Sequence, residues 1–277
     1  MSKERKGKID PARSLAILWR TSEPTSRSAG PGLSVDRIVR AAVEIADAEG
    51  IDALTMRRVS EALGVGTMSV YTYVPGKAEL LDVMVDTLYG EMKRPAELPG
   101  GWRERLEQIA RENLELYRAH PWLLRVETSR PVLGPHLLAK YDYELGAVAG
   151  IGLDDVEMDA VLTLLLGHVR SAARAALDVI DLERRTGMTD GQWWQSHAPW
   201  LEQFMRSGSY PTASRVGTAA GEAHGAAYGP EYAFEFGLQR VLDGIAVVVA
   251  ERSAGAGPDR PGPAGVDRAA TGPADAG

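Results

Sequence analysis

The chain has 277 residues, 44% of them hydrophobic, and a formal net charge of −7, which is ordinary for a globular protein with one or two cores. It contains no cysteine, so the sequence excludes disulfide bonds, thiolate catalysis and zinc sites with sulfur ligands. Because the five histidines are scattered, we expect neither a metal ion nor a cofactor.

The first 32 residues differ in charge from the rest of the chain. They contain seven basic and three acidic residues, and the stretch 21–33 is rich in Ser, Pro and Gly. Such a composition is typical of a flexible segment. We therefore predict a flexible basic arm over residues 1–32.

Apolar periodicity predicts a compact unit of three helices over residues 33–79. Apolar residues between Val35 and Ala46 recur on one face of a first helix. A second helix is expected from Met56 to Leu63, with Thr55 as its N-cap. A third, shorter helix is expected over about Thr67–Tyr73, before a Pro-Gly pair that closes it.

Longer helical patterns follow. A fourth helix ends before Pro95, and the predicted helices beyond it lie near 102–119, 121–129, 135–150, 154–182, 190–206 and 230–251. The Gly-, Ala- and Ser-rich stretch 208–229 is predicted to be a long loop, and residues 253–277 a disordered tail. No alternating apolar run predicts a strand, so we expect an all-α chain with a helical second domain over residues 80–252.

The turn Gly64–Gly66 between two short helices is typical of a helix-turn-helix. In that motif the first helix crosses the DNA backbone and the second lies in the major groove. The hydroxyl groups of Thr67, Ser69 and Thr72 could bond phosphates or base edges, and Arg57 could reach the backbone. Helix corners that contain glycine also occur in helical proteins that do not bind DNA.

A pattern of about fifty residues at fixed spacing is more specific. It consists of Thr55, Val59, Leu63, Gly64, Val65, Ser69, Val70, Tyr71, Tyr73, Lys77 and Leu80. In these residues the stretch Leu33–Leu81 resembles the DNA-binding domain of the tetracycline-repressor (TetR) family of transcriptional regulators. Two positions depart from the usual pattern: Val74 replaces an aromatic residue or His, and Ser60 replaces Ala.

The resemblance implies roles for individual residues. Phosphate contacts are implied for Thr55, Tyr71, Tyr73 and Lys77. Contacts to bases or the groove are implied for Gly66, Thr67, Met68 and Thr72. The basic arm resembles the extended N-terminus of one branch of the family, where such arms enter the minor groove; a solvated tail is the alternative.

The second domain resembles the family's variable ligand-binding and dimerisation domain. Independently, the predicted helices 154–182 and 230–251 are apolar nearly all round, and such helices need neighbours on more than one side. We predict that they pack against their copies in a second subunit; burial within one subunit is the alternative. The residues assigned to this interface are Leu165, Val169, Ala173, Leu238, Leu242 and Ile245.

The second domain is also rich in aromatic residues. Pockets between bundle helices are mostly apolar with a few polar groups, so we predict an apolar or aromatic small-molecule effector. The candidate contacts are Trp122, Tyr141, His168, Arg174 and Trp194. For each of them a structural role is the alternative.

These patterns predict a ligand-responsive regulator, a repressor that binds a palindromic operator in double-stranded DNA as a homodimer. A helical adaptor that binds another protein and not DNA is the alternative. An enzyme is not expected, because nucleophile elbows, zinc-protease motifs and phosphate loops are absent from the sequence. Since the first ten residues are charged and no apolar run reaches about 18 residues, we expect a cytoplasmic protein that does not enter a membrane.

Overall fold

The computed structural model describes residues 11–21, 32–95, 99–126, 131–205 and 210–255. Within these ranges the regular structure is helical and contains no strand, which confirms the predicted all-α fold. The helices are α1 Pro11–Leu18, α2 Val35–Glu49, α3 Met56–Leu63, α4 Thr67–Tyr73, α5 Lys77–Glu91, α6 Trp102–Ala119, α7 Pro135–Gly146, α8 Asp155–Thr186, α9 Asp190–Met205, α10 Pro211–His224 and α11 Pro230–Gly255. Two 3₁₀ turns lie at Ile51–Ala53 and Pro121–Leu124.

Helix α2 has the apolar face that its sequence predicts. Val35, Ile38, Val39 and Ala42 are all buried on the side that contacts α3 and α5. At its start the hydroxyl of Ser34 accepts a hydrogen bond from the backbone N–H of Arg37 at 3.2 Å, which satisfies one of the free donors of the first turn. Local signals are therefore sufficient to define this helix.

The α3–α4 turn depends on a left-handed residue. Gly64 has φ +67° and ψ 30°, a conformation that costs an L-residue with a Cβ about 1–2 kcal/mol. The N–H of Gly64 bonds the carbonyl of Glu61 at 3.1 Å, and the N–H of Val65 bonds that of Ser60 at 3.0 Å. These bonds satisfy the last carbonyl groups of α3 and set the angle at which α4 leaves it.

Residues 11–18 are not part of a flexible arm, as the sequence led us to expect. They form α1, which contacts α5 and buries Ile17 and Leu18 in the same core as α2. Two further bonds hold the end of this segment: Trp19 Nε1 donates to the carbonyl of Leu133 at 3.0 Å, and Arg20 pairs with Asp36 at 2.8 Å. The prediction over residues 1–10 and 22–31 lies outside the described residues.

The second domain is built on α8. This 32-residue helix contacts α6 on one side and α11 on another, and α11 also contacts α6. Arg103 on α6 bonds Asp243 on α11 at 2.7 Å, and Arg111 bonds Glu235 at 2.5 Å. Gly237 allows α11 to approach α8 closely, because a Cβ at this position would lie 2.2 Å from Cε1 of His168.

This packing corrects the predicted dimer contacts. The six residues assigned to the interface are all buried within one chain, in the core that α6, α8 and α11 share. The physical reason is that α8 has two intramolecular neighbours, which cover the apolar positions that we expected a second subunit to cover. These positions are Leu165, Val169, Ala173, Leu238, Leu242 and Ile245.

Other element boundaries also differ from prediction. Most of the predicted loop 208–229 is helix α10, which starts with Pro211 in its first turn and ends at His224, with Gly225 in the left-handed region as its C-cap. The predicted helix near 121–129 is only the 3₁₀ turn Pro121–Leu124, and residues 127–130 lie outside the described part. Helix α7 ends at Gly146, earlier than expected, whereas α8 continues to Thr186.

Helix α8 is long and apolar enough, by length and composition, to cross a membrane, contrary to our reading of its sequence. Core helices of soluble proteins meet the same criteria, and α8 packs against α6 and α11. Within the described ranges it is the one helix with these properties.

We expect Gly64→Ala to lower the free energy of unfolding by about 1 kcal/mol, because alanine is strained in the left-handed region. Urea denaturation followed by circular dichroism measures this. Gly217→Ala is the matched control: Gly217 lies within α10 and has open space around its Cα, so the same substitution should leave stability equal or higher. Equal effects of the two substitutions would contradict the role of the left-handed turn.

Candidate nucleic-acid interface

Helix α4 has one face in the core and the other exposed to solvent. Val70 is fully buried, and Tyr73 retains 6% exposure. On the opposite side Met68 is 77% exposed, and Tyr71 and Thr72 are exposed beside it. The face formed by these three residues is therefore open to contact with a partner molecule.

A hydrogen bond between two side chains joins α4 to α3. The Oγ atom of Ser60 lies 2.9 Å from Oγ1 of Thr67, and it donates to the carbonyl of Arg57 at 2.7 Å. Ser60 is buried. Thr67 was predicted to face DNA, but its hydroxyl bonds Ser60 between the two helices. Ser60 is the residue that replaces the usual Ala, and an alanine at this position could not form the bond.

The two arginines of α3 are paired within the chain. Arg57 Nε lies 2.8 Å from Oε1 of Glu61, and Arg58 Nη2 lies 2.6 Å from Oε1 of Glu49. The hydrogen bond from Arg58 lowers the pKa of Glu49 below its usual value. Both pairs are exposed, where ion pairs contribute little, so a phosphate can compete for either arginine at small cost.

Thr55 and Lys77 flank the exposed face of α4 in the sequence. The hydroxyl of Thr55 accepts a hydrogen bond from the N–H of Arg58 at 3.0 Å, so Thr55 is the N-cap of α3, as predicted. Lys77 is the first residue of α5, is exposed, and lies with Nζ 3.4 Å from the carbonyl of Ile51. Gly66 is the exposed N-cap of α4, and Ser69 is half-buried.

The position of Tyr73 does not support its predicted phosphate contact. Its ring is buried in the core cluster that includes Val70 and Leu80. The spacing of two residues between Tyr71 and Tyr73 explains the difference, because it places their side chains about 200° apart around a helix. Tyr71 is therefore the tyrosine of the exposed face, and Tyr73 anchors α4.

The five predicted ligand contacts do not meet in one site. Trp122 is buried at the junction with α2, and Tyr141 is exposed and donates to Asp159 at 2.7 Å. His168 stacks on Phe234 between α8 and α11, with ring centroids 5.7 Å apart. Arg174 donates to the carbonyl of Leu124 at 2.9 Å, and Trp194 lines a cavity between α9 and α10. Trp122, Tyr141, His168 and Arg174 thus have partners within the chain, which sequence patterns could not reveal.

A junction that sequence analysis missed joins the two domains. Asp47, near the end of α2, accepts hydrogen bonds on Oδ1 from Nε1 of Trp122 at 2.7 Å, and Nδ1 of His120 lies 2.8 Å from the same atom. These partners are 73 and 75 residues from Asp47 along the chain, so no local pattern indicates them. The corner after α6 is thereby attached to the helix-turn-helix unit.

Comparison with known proteins identifies this arrangement. Residues 38–84 match the bacterial regulatory proteins of the tetR family, and residues 94–249 match the tetracyclin repressor-like C-terminal domain. The chain belongs to the TetR family. The resemblance seen in the sequence is therefore confirmed, and the chain is a DNA-binding transcriptional regulator.

Several relatives of this TetR-family regulator come from Streptomyces species. The HTH-type transcriptional repressor DrrR1 of Streptomyces coeruleorubidus is 46% identical over 252 residues, which cover 91% of each chain. Apo ActR from Streptomyces coelicolor is 29% identical with a TM-score of 0.64, and the match covers 79% of this chain and 97% of ActR. ActR in complex with actinorhodin is 28% identical with a TM-score of 0.62, covering 78% and 98%.

The two tyrosines of α4 should behave differently on substitution. Tyr73→Ala should lower the free energy of unfolding by about 3 kcal/mol or more, since it empties part of a core. Tyr71→Ala should change stability by about 0.5 kcal/mol or less but weaken DNA binding by about 1–3 kcal/mol. Urea denaturation and gel-shift titration on operator DNA measure the two effects. If Tyr71→Ala unfolds the protein or leaves binding unchanged, the assignment of its face is wrong.

Proposed function

We propose that this regulator is a repressor that binds a palindromic operator as a homodimer and leaves it when a small aromatic or apolar molecule binds the second domain. The observation that carries the proposal is the outward face of α4, where Met68, Tyr71 and Thr72 are exposed on a helix whose other side is fixed in the core. An interior α4 would have no access to a DNA groove.

The contacts that we assign to DNA follow from exposure. Met68, Tyr71 and Thr72 face the groove, Gly66 and Ser69 border it, and Arg57 exchanges Glu61 for a phosphate. Thr55 and Lys77 contact the backbone at the starts of α3 and α5. Thr67 and Tyr73 act by holding α4 in place.

The dimer is proposed on a different face from the one first expected. Helix α8 leaves Leu164 55% exposed, and α11 leaves Phe236 52% and Val247 58% exposed. These apolar side chains lie on the sides of α8 and α11 that their intramolecular core does not cover. Packing against a second copy would bury them and set two α4 helices at a fixed separation, as a palindromic site requires.

Two further observations support the remaining parts of the proposal. The relative DrrR1 is named a repressor, and the relative ActR was solved with actinorhodin and with (S)-DNPA bound. Because a transcriptional regulator must reach the DNA that it controls, we infer a cytoplasmic location. The adaptor alternative has no observation in its favour.

Selection of bound sequences from a random duplex pool tests the function directly. We expect recovery of an inverted repeat whose half-sites lie about one helical turn apart, with affinity that falls steeply between 50 and 200 mM salt. Tyr71→Ala protein, selected in parallel, should recover little or none of it. Recovery of no sequence at low salt would refute DNA binding and favour the adaptor.

We expect Leu164→Glu to yield folded monomers, because a charge on a buried interface is costly. Light scattering coupled to gel filtration measures the mass, and circular dichroism verifies the fold. Leu138→Glu, on the exposed face of α7, is the matched control and should remain dimeric. Leu165→Glu should instead unfold the chain, since Leu165 is fully buried within it. A folded dimer of Leu164→Glu would place the interface elsewhere.

A further inference from the structure

The hydroxyl groups of helix α4 differ in the partners that their protons have within the protein. Thr67, Ser69, Tyr71 and Thr72 carry hydroxyl groups on half-buried or exposed side chains, and Met68 lies among them. A threonine hydroxyl has one proton to donate and two lone pairs that accept. The partner of that single proton therefore determines which base edges a threonine can recognise.

The proton of Thr67 is used inside the protein. Ser60 Oγ lies 2.7 Å from the carbonyl oxygen of Arg57, and a carbonyl oxygen only accepts, so the proton of Ser60 is directed there. Ser60 then has only lone pairs for Oγ1 of Thr67, which lies 2.9 Å away. Thr67 is therefore the donor of this bond. Because Ser60 is buried, the proton of Thr67 is withheld from DNA.

The proton of Thr72 is also used within the chain. Thr72 Oγ1 donates to the carbonyl of Met68, one helical turn earlier, at 3.0 Å. Residues four apart lie on the same face of a helix, so the side chains of Met68 and Thr72 are neighbours on the exposed side of α4. Together they offer a partner molecule apolar surface and a hydroxyl oxygen that accepts but does not donate.

The chemistry of the major groove identifies the base pair that matches such a surface. Thymine presents a methyl group there, and its partner adenine presents an amino group that donates. Met68 and Thr72 can bury the thymine methyl group, and the oxygen of Thr72 can accept from the adenine amino group. Guanine presents two acceptors in the major groove and requires a donor, which neither side chain supplies.

On the basis of the placement of α4 in the groove proposed above, we propose that Met68 and Thr72 recognise thymine–adenine base pairs by contact with thymine methyl groups, and that Ser60 is a positioning residue for this specificity. Ser60 does not touch DNA. It holds the proton of Thr67 away from the groove, so that Thr67 cannot donate to N7 or O6 of guanine. Alanine at position 60, the usual residue in the family pattern, would release this donor.

Deoxyuridine in the operator tests the methyl contact, because it lacks the methyl group of thymine but forms the same base pair. Each thymine of an operator selected from the random pool is replaced in turn, and gel-shift titration measures the affinity. We expect one or two replacements in each half-site to weaken binding about fourfold each, which corresponds to burial of about one methylene group. If every uracil-containing operator binds as tightly as the original, methyl recognition is refuted.

Two substitutions at Thr72 separate its methyl group from its hydroxyl. Thr72→Val keeps the methyl group and should retain the uracil effect, whereas Thr72→Ser keeps only the hydroxyl and should lose the effect at one position. The serine variant should also bind the original operator about fourfold more weakly than the wild type. An equal uracil effect in both variants would remove Thr72 from the contact.

Thr87→Ser is the matched control for this comparison. Thr87 lies on α5 and forms the same kind of bond, to the carbonyl of Val83 at 2.7 Å. Its substitution should leave both the operator affinity and the uracil effect at their wild-type values. If Thr87→Ser instead matches Thr72→Ser, the effect is a general consequence of the substitution, and recognition through Thr72 is wrong.

A double variant tests the role of Ser60. Ser60→Ala should reduce the discrimination against guanine at one position of each half-site about fivefold or more, because Thr67 can then donate to it. Thr67→Val should retain the wild-type preference. The double variant Ser60→Ala with Thr67→Val has no hydroxyl to release, so it should regain that preference. Competition gel shifts with every single base-pair substitution of the operator measure this.

Two results would overturn the role of Ser60. One is an unchanged base preference in Ser60→Ala. The other is the same altered preference in the single and double variants, which a merely structural effect of Ser60 on α4 would produce. Failure of the wild type to select any operator is a different result, which refutes the proposed function itself. The uracil and double-variant comparisons use an operator that the wild type binds, so the two kinds of failure are distinguishable.

Discussion

The carboxylate of Asp47 is one of the contacts that join the two domains of this protein, beside the shared core that contains Trp122 and Leu123. It lies on α2, the first helix of the DNA-binding unit, and its partners Trp122 and His120 lie at the corner that ends the first long helix of the second domain. Hydrogen bonds to a charged acceptor contribute about 1.5–3 kcal/mol each, more than exposed ion pairs do. The position of α4 relative to the second domain therefore depends on this corner as well as on the core beneath α4.

In the second domain, the neighbouring helices of one chain cover some sides of each long helix and leave others exposed. Helix α8 buries Leu165, Val169 and Ala173 against α6 and α11, yet Leu164 remains exposed. Three helices packed together leave one side of each open, and apolar side chains are exposed there at Leu164 on α8 and at Phe236 and Val247 on α11. The dimer that we propose would cover them, because a symmetric interface uses the same patch twice.

How far the sequence predicts this structure depends on how local each signal is. The caps at Ser34 and Thr55 and the left-handed Gly64 act within a few residues, and all three were readable in the sequence. The all-round apolar pattern of α8 was also readable, but it gives the number of neighbours that a helix needs and not their identity. Helix α10 was not readable, because Gly and Ala in its sequence are typical of a loop, and its packing with α9 is a long-range contact that no local pattern indicates.

The same difference between local and long-range signals applies to the candidate site. Exposure of Met68 and Tyr71 follows from helical periodicity, and so does burial of Tyr73, although family resemblance had suggested a phosphate contact for it. The five predicted ligand contacts do not form one site, because aromatic and charged side chains such as His168 and Arg174 contact neighbouring segments of the chain. Allosteric coupling in proteins amounts to about 1–3 kcal/mol, which is the scale of one or two buried hydrogen bonds. A regulator therefore needs no large rearrangement, because altering one or two hydrogen bonds changes an affinity by an amount of this size.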